Sequence, residues 1–138
     1  MCLFIGKNEI NVAEDDICVV KLIRSEWKFL WVLWWCAYFR GTIHRLNRVL
    51  RGPKHLKIEY EHLINKGFHS YTIDYAKKYL RFGEMCEYLH NNYLLKYAII
   101  PKGSEYCYNR DMDSIVSNKL IVFSSKEKFE KYKKSRSK

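Results

Sequence analysis

The sequence predicts a single α+β domain, a small antiparallel or mixed sheet carrying two to four helices. Three observations lead there. A chain of 138 residues with 48% apolar and 16% aromatic content has the material for one core and not for two. Short runs of β-branched and aromatic residues end at Gly, Pro and Asn, as strands do. Between them lie segments whose apolar residues recur at helical spacing. The expected boundaries are one domain over residues 1–125, with a Trp- and Arg-rich helical segment at 25–52, and a basic tail over 126–138.

Residues 17–23 (ICVVKLI) are apolar apart from Lys21 and follow the acidic turn Glu14-Asp15-Asp16, so they read as the first strand. Ser25 is then placed to cap a helix. Trp27, Trp31, Trp34 and Trp35 fall at i, i+4, i+7 and i+8, one helical face, and the opposite side with Phe29, Leu30, Val32 and Leu33 is apolar as well. Such a helix has to be buried or docked, which makes the four tryptophans candidates for contact with a protein partner or with a second copy of the chain. The uncharged run at 29–39 has eleven residues, against about 20 needed to cross a membrane, so no span is expected.

Thr42 is expected to cap a short amphipathic helix with Ile43, Leu46, Val49 and Leu50 inward and Arg45, Arg48 and Arg51 on another side, ended by Gly52-Pro53. Residues 57–64 fit strand and helix equally. Asn65-Lys66-Gly67 reads as a turn, 68–71 as a strand, and Thr72 or Asp74 as the start of a helix through Leu80. A strand over 93–100 stops at Pro101-Lys102-Gly103, and residues 115–116 with 120–123 supply at least one more. The tail carries seven basic residues against two acids and reads as a frayed helix or a disordered arm.

Charge gives the strongest functional signal. With 25 Lys and Arg against 15 Asp and Glu, the formal charge is +10, and a positive field favours anionic partners such as nucleotides, nucleic acid or an acidic protein. Arg45, Arg48 and Arg51, in a stretch of six cations and no acid from Arg40 to Lys57, are the candidate contacts to an anionic partner. Five scattered cysteines without C-x-x-C read as reduced thiols, and no leader-like segment opens the chain, so the expected compartment is the cytoplasm. There is no Gly-rich phosphate loop, no nucleophile elbow, and no ligand spacing for a metal or cofactor, so no catalytic residue is assigned. His69, between Phe68 and Ser70 after a glycine turn, is the most suggestive histidine.

The stretches GFHSYTIDYAKKY (67–79), IIPKGSEYCYN (99–109) and VSNKLIV (116–122) resemble an uncharacterised family of small proteins from bacteriophages and gut bacteria. The order of elements is also distantly similar to the ADP-ribosyltransferase fold. That likeness implies Arg24 at the end of the first strand and Ser70-Tyr71-Thr72 in the place of the serine motif, while the place of the catalytic glutamate reads Ser117-Asn118-Lys119. Transferase activity is then not expected, and a nucleotide-shaped cleft is. Together these give the leading expectation: a phage-type binding protein that captures a nucleotide-like signal through Arg24, His69, Ser70, Tyr71 and Lys102 and so counters host defence. The alternatives are an inhibitor or adaptor that holds a host protein with Trp27, Trp31, Trp34 and Trp35, and a nucleic-acid binder using the arginines and the tail.

Overall fold

The computed structural model describes residues 3–4, 10–26, 31–33, 46–59, 63–64, 67–79, 88–90, 93–109 and 114–136. The fold is mainly β, which corrects the α+β expectation: among the described residues there are two short helices and a ten-stranded antiparallel sheet. The strands are β1 (Leu3–Phe4), β2 (Asn11–Val12), β3 (Ile17–Glu26), β4 (Trp31–Leu33), β5 (Val49–Arg51), β6 (Ile58–Glu59), β7 (Leu63–Ile64), β8 (Phe68–Thr72), β9 (Tyr88–His90), β10 (Tyr93–Ile100), β11 (Glu105–Asn109), β12 (Ser114–Ser117) and β13 (Lys119–Val122). The helices are α1 (Ile73–Tyr79) and α2 (Lys126–Arg136). β1, β7 and β6 form a separate small sheet.

The main sheet runs β2-β11-β12-β8-β3-β10-β13-β5, with β4 on β3 and β9 on β10. Four strand steps separate β12 from β13 in that order, about 19 Å in a flat sheet at about 4.8 Å per step. Yet Asn118 alone joins them, a link that reaches no more than about 7 Å. The sheet must therefore roll until the two strands meet, and β12 and β13 become one strand bent at Asn118. The bend is held by part-buried hydrogen bonds of the Asn118 side chain. Asn118 Oδ1 accepts from the Glu105 amide at 2.9 Å, and its Nδ2 donates to the Lys54 carbonyl at 3.0 Å. The backbone amide of Gly52 donates to the Asn118 carbonyl, so β5 continues the line of β11 along the outer side of the bent strand.

Side-chain alternation then divides inside from outside. Val19, Ala98, Ile100, Phe68, Ile115, Leu120 and Val122 point inward and form one cluster, with Leu50 and Tyr106 at its margin. The outward residues receive three covers. Ala76 and Ile73 of α1 lie on Val20 and Leu95. Phe129 and Tyr132 of α2 lie on Ile99, Ile121 and Phe123. Leu56, in the loop after β5, lies on Cys107 and Val116.

Several expectations fall on this architecture as corrections. The helical segment at 25–52 is replaced, wherever it is described, by strand and turn. Ser25 and Glu26 belong to β3, Trp31 sits in β4 opposite Glu26, and Val49–Arg51 pairs with β13. Trp27, Trp34, Trp35 and Arg45 lie outside the described residues. The tail is an ordered helix: Ser125 Oγ accepts from the Lys128 amide at 3.2 Å as its cap, and Phe129 is 2% exposed. The start of α1 is as read, with Thr72 Oγ1 accepting from the Tyr75 amide at 3.2 Å. No helix among the described residues is long and apolar enough to cross a membrane.

Candidate functional site

The five residues expected to line a nucleotide cleft do not converge. Alternation along β8 turns His69 and Tyr71 outward and Ser70 inward, where its hydroxyl faces the Ile115 carbonyl at 3.4 Å. Arg24 pairs with Tyr93 at one end of the β3–β10 ladder, whereas Lys102 follows the other end, where Ile17 pairs with Ile100. Seven residues of strand separate those ends, about 23 Å. Arg24 also lies inside β3, which continues to Glu26. The segment that stands in the place of a catalytic glutamate, Ser117 to Lys119, is the corner of the barrel, and Asn118 is committed to it.

His69 is a structural residue. Its ring lies edge-on to Tyr71 at 5.0 Å, and Tyr71 stacks on Tyr75 of α1 at 5.3 Å. The buried Lys21 ammonium donates to the His69 carbonyl. Burial first, and the Lys21 charge second, push the imidazole down to about 3 from 6.5. The ring stays neutral in the folded protein and takes a proton in the unfolded chain below pH 6.5, so stability falls as pH drops below that value. From pH 7 to pH 5 the loss assignable to this group is about 2 kcal/mol, at about 1.36 per unit. Urea unfolding of the parent and of His69→Phe at both pH values measures it. The variant is expected to lose most of that difference, and an equal pH dependence in the two proteins refutes the assignment.

A groove formed by described residues is acidic. It has a volume of about 610 Å³ and is lined by Glu14, Asp15 and Asp16 together with Asn11, Val12, Ile17 and Tyr106. Asp16 is already engaged: Oδ1 accepts from the Lys102 amide at 2.8 Å and Oδ2 from Arg136 Nε at 3.1 Å. A nucleotide phosphate is repelled there, so the positive charge does not gather around this hollow.

Cations remote in sequence do meet elsewhere, on the ladder between β5 and β13. Asn47, in the left-handed region at φ 62°, turns the chain into β5, and its side chain clamps the start of α2. Its Nδ2 donates to Ser124 Oγ at 3.1 Å, and its Oδ1 accepts from the Ser124 amide at 3.1 Å. Arg51 stands directly opposite Lys119 across the β5–β13 ladder. By alternation both point to the outer side that α2 covers, as do Val49 and its partner Ile121, which lies under Phe129. The helix stops short of β5, because Val49 remains 44% exposed. Phe129 faces the sheet, so at 100° per residue Lys128 lies on a flank of α2, while Lys131 lies on the side away from the sheet, next to Glu127 one turn earlier. Arg48, Arg51, Lys128 and Lys131 are exposed and Lys119 is half-buried.

Sequence reading found Arg48 and Arg51 by composition and named the basic tail with them, but missed Lys119 as the partner of Arg51 across the ladder. It also missed Phe129 with Tyr132 three residues on, the apolar stripe by which the basic helix docks. Comparison with family models, with curated proteins and with solved structures finds no match.

Proposed function

We propose that the protein binds nucleic acid through the sugar–phosphate backbone at the β5–β13–α2 corner. The observation that carries this reading is the pairing of two cations remote in sequence, Arg51 and Lys119, across the β5–β13 ladder, with exposed Arg48 nearby and the lysine-rich helix α2 starting just after Ser124, which Asn47 holds. Glu127 stands next to Lys128 and four residues before Lys131, so the helix contributes a smaller net charge than its lysines alone suggest. Like charges directly opposite across a ladder cost stability, and a polyanion relieves that repulsion. Capture of a single nucleotide loses its geometric support, since its five expected contacts sit on opposite faces and opposite ends of the barrel. A protein-binding aromatic helix loses its helix at Trp31.

Four phosphate contacts, by Arg51, Lys119, Lys128 and Lys131, imply a log affinity that falls with log salt at a slope of about −3 to −4. Fluorescence anisotropy with a labelled oligonucleotide from 50 to 300 mM salt measures that slope. The pair Lys128→Glu and Lys131→Glu is expected to weaken binding by about tenfold or more, each removed phosphate contact being felt as lost counterion release. Lys77→Glu, exposed on α1 and away from the corner, serves as the control and leaves affinity nearly unchanged. Salt-insensitive binding, no binding, or an equal loss in the control defeats the reading.

A further inference from the structure

The two strands that end the main sheet carry matching chemistry, and we infer that the protein associates with a second copy of itself by setting β2 of one chain against β5 of the other. β2 and β5 stand at opposite ends of the strand order. Among the described residues, the large apolar side chains left exposed are Val12 at 60% and Val49 at 44%, one on each of these end strands. Both point to the outer side of the sheet. Val12 pairs with Glu105, two residues from outward Cys107, and Val49 pairs with outward Ile121. A sheet continued from β2 to β5 therefore keeps the two valines on one face.

The charges around them have opposite sign. From Ile10 to Ile17 there are three acids and no cation, and from Leu46 to Lys57 there are two arginines, two lysines and no acid. Asp16 is engaged by Arg136 and the Lys102 amide, while Glu14 and Asp15 beside it are exposed. Arg48 and Arg51 are exposed as well, and Arg51 already faces Lys119 across the ladder. Seating Val12 on Val49 sets Glu14 opposite Arg51 in a parallel pairing and one position from Arg48 in an antiparallel one. Burial of the valines supplies adhesion, the backbones of two end strands supply hydrogen bonds, and opposite charge selects the partner strand. Two copies of β5 do not meet this way, because their arginines repel. The β2–β5 contact made twice, reciprocally, closes a dimer. Strands of two and three residues give a small contact, so the association is weak, with a dissociation constant on the order of 100 µM.

Sedimentation equilibrium in 150 mM salt tests this, since charges more than about 8 Å apart are screened there and the net charge of +10 no longer keeps copies apart. Between about 10 and about 500 µM, a range that brackets the expected constant, the average mass of the parent is expected to rise from one chain toward two. Two charge-reversed proteins accompany it, Glu14→Lys with Asp15→Lys and Arg48→Glu with Arg51→Glu, all at exposed positions where folding is not at stake. Each alone is expected to associate at least about tenfold more weakly than the parent, since its two edges then carry the same sign. An equimolar mixture of the two is expected to associate again, because acids then face cations at both contacts. A parent that keeps the mass of one chain throughout, a reversed protein that associates as the parent does, or a mixture that stays monomeric each overturns the inference. No nucleic acid enters the experiment, so its outcome is independent of the reading above.

Discussion

Gly67→Ala is expected to destabilise the protein by about 3–5 kcal/mol, combining overpacking of a closed core with a forced backbone conformation. Gly67 leads into β8 at φ +154°, a region side chains rarely occupy. A Cβ there meets Val116 Cγ1 at 2.4 Å, Leu56 Cδ2 at 3.1 Å and the Ser117 carbonyl at 3.2 Å. None of the three yields easily. Val116 is fully buried and β-branched, so its rotamer is fixed, and Ser117 belongs to the bent strand that closes the barrel. Leu56 holds the loop after β5 to Cys107, with its amide donating to Glu105 Oε1 at 2.8 Å.

Urea unfolding at pH 7 gives the number, and two companions separate its causes. Gly103 has a positive φ of 87° with nothing near its Cβ, so Gly103→Ala isolates backbone strain, about 1 kcal/mol. Val116→Ala in the Gly67→Ala background opens the space and is expected to recover part of the loss, because contacting residues do not add independently. A Gly67→Ala protein within 1 kcal/mol of the parent would show that the close approach of β8 to β12 is not rigid, and the closed-barrel account would fail with it.

Which parts of this fold were legible follows from where local chemistry and tertiary context agree. β3, β8, β10, β12 and β13 are β-branched runs bounded by turns, and α1 begins at a threonine cap, so pattern and structure coincide there. The tryptophans mislead because Trp27, Trp31 and Trp35 are spaced by four, a multiple of both the strand period of two and nearly the helical period. Only pairing with the far end of β3 decides for a strand at Trp31. At 46–51 the helical pattern is overridden from outside. The open side of β13 needs hydrogen bonds, Leu120 needs Leu50 beside it, and Asn47 tolerates the left-handed turn that delivers them. The site was half legible for the same reason. Composition exposes a cationic stretch, but only the roll of the sheet brings it to α2, and three consecutive residues of a strand can never share one face, which dissolves the Ser70–Tyr71 cleft.

Phe129→Ala is expected to cost about 3–5 kcal/mol, the range for truncating a buried phenylalanine, and to lower the melting temperature by roughly 10–20 °C. The ring stacks on Tyr97 at 4.5 Å and meets Phe123 edge-on at 5.7 Å, while Lys133 Nζ lies 5.1 Å from its centre. Its other attachments include Tyr132 against Phe123, the clamp of Asn47 on Ser124 at its start, and the exposed pair of Arg136 with Asp16, and an exposed pair contributes at most about 1 kcal/mol. An eleven-residue helix with so many lysines does not persist alone in water, so releasing Phe129 releases the helix. That uncovers Ile99, Ile121 and Phe123 and scatters the cations of the helix at the same time. Phe129→Leu keeps most of the apolar contact and should cost less than half as much. On the proposed nucleic-acid reading, stability and affinity are tied to one side chain: in conditions where Phe129→Ala remains folded, its affinity should fall toward that of the Lys128→Glu, Lys131→Glu protein. If it loses stability but binds as the parent does, the basic helix works without being seated, and the tail is an independent arm after all.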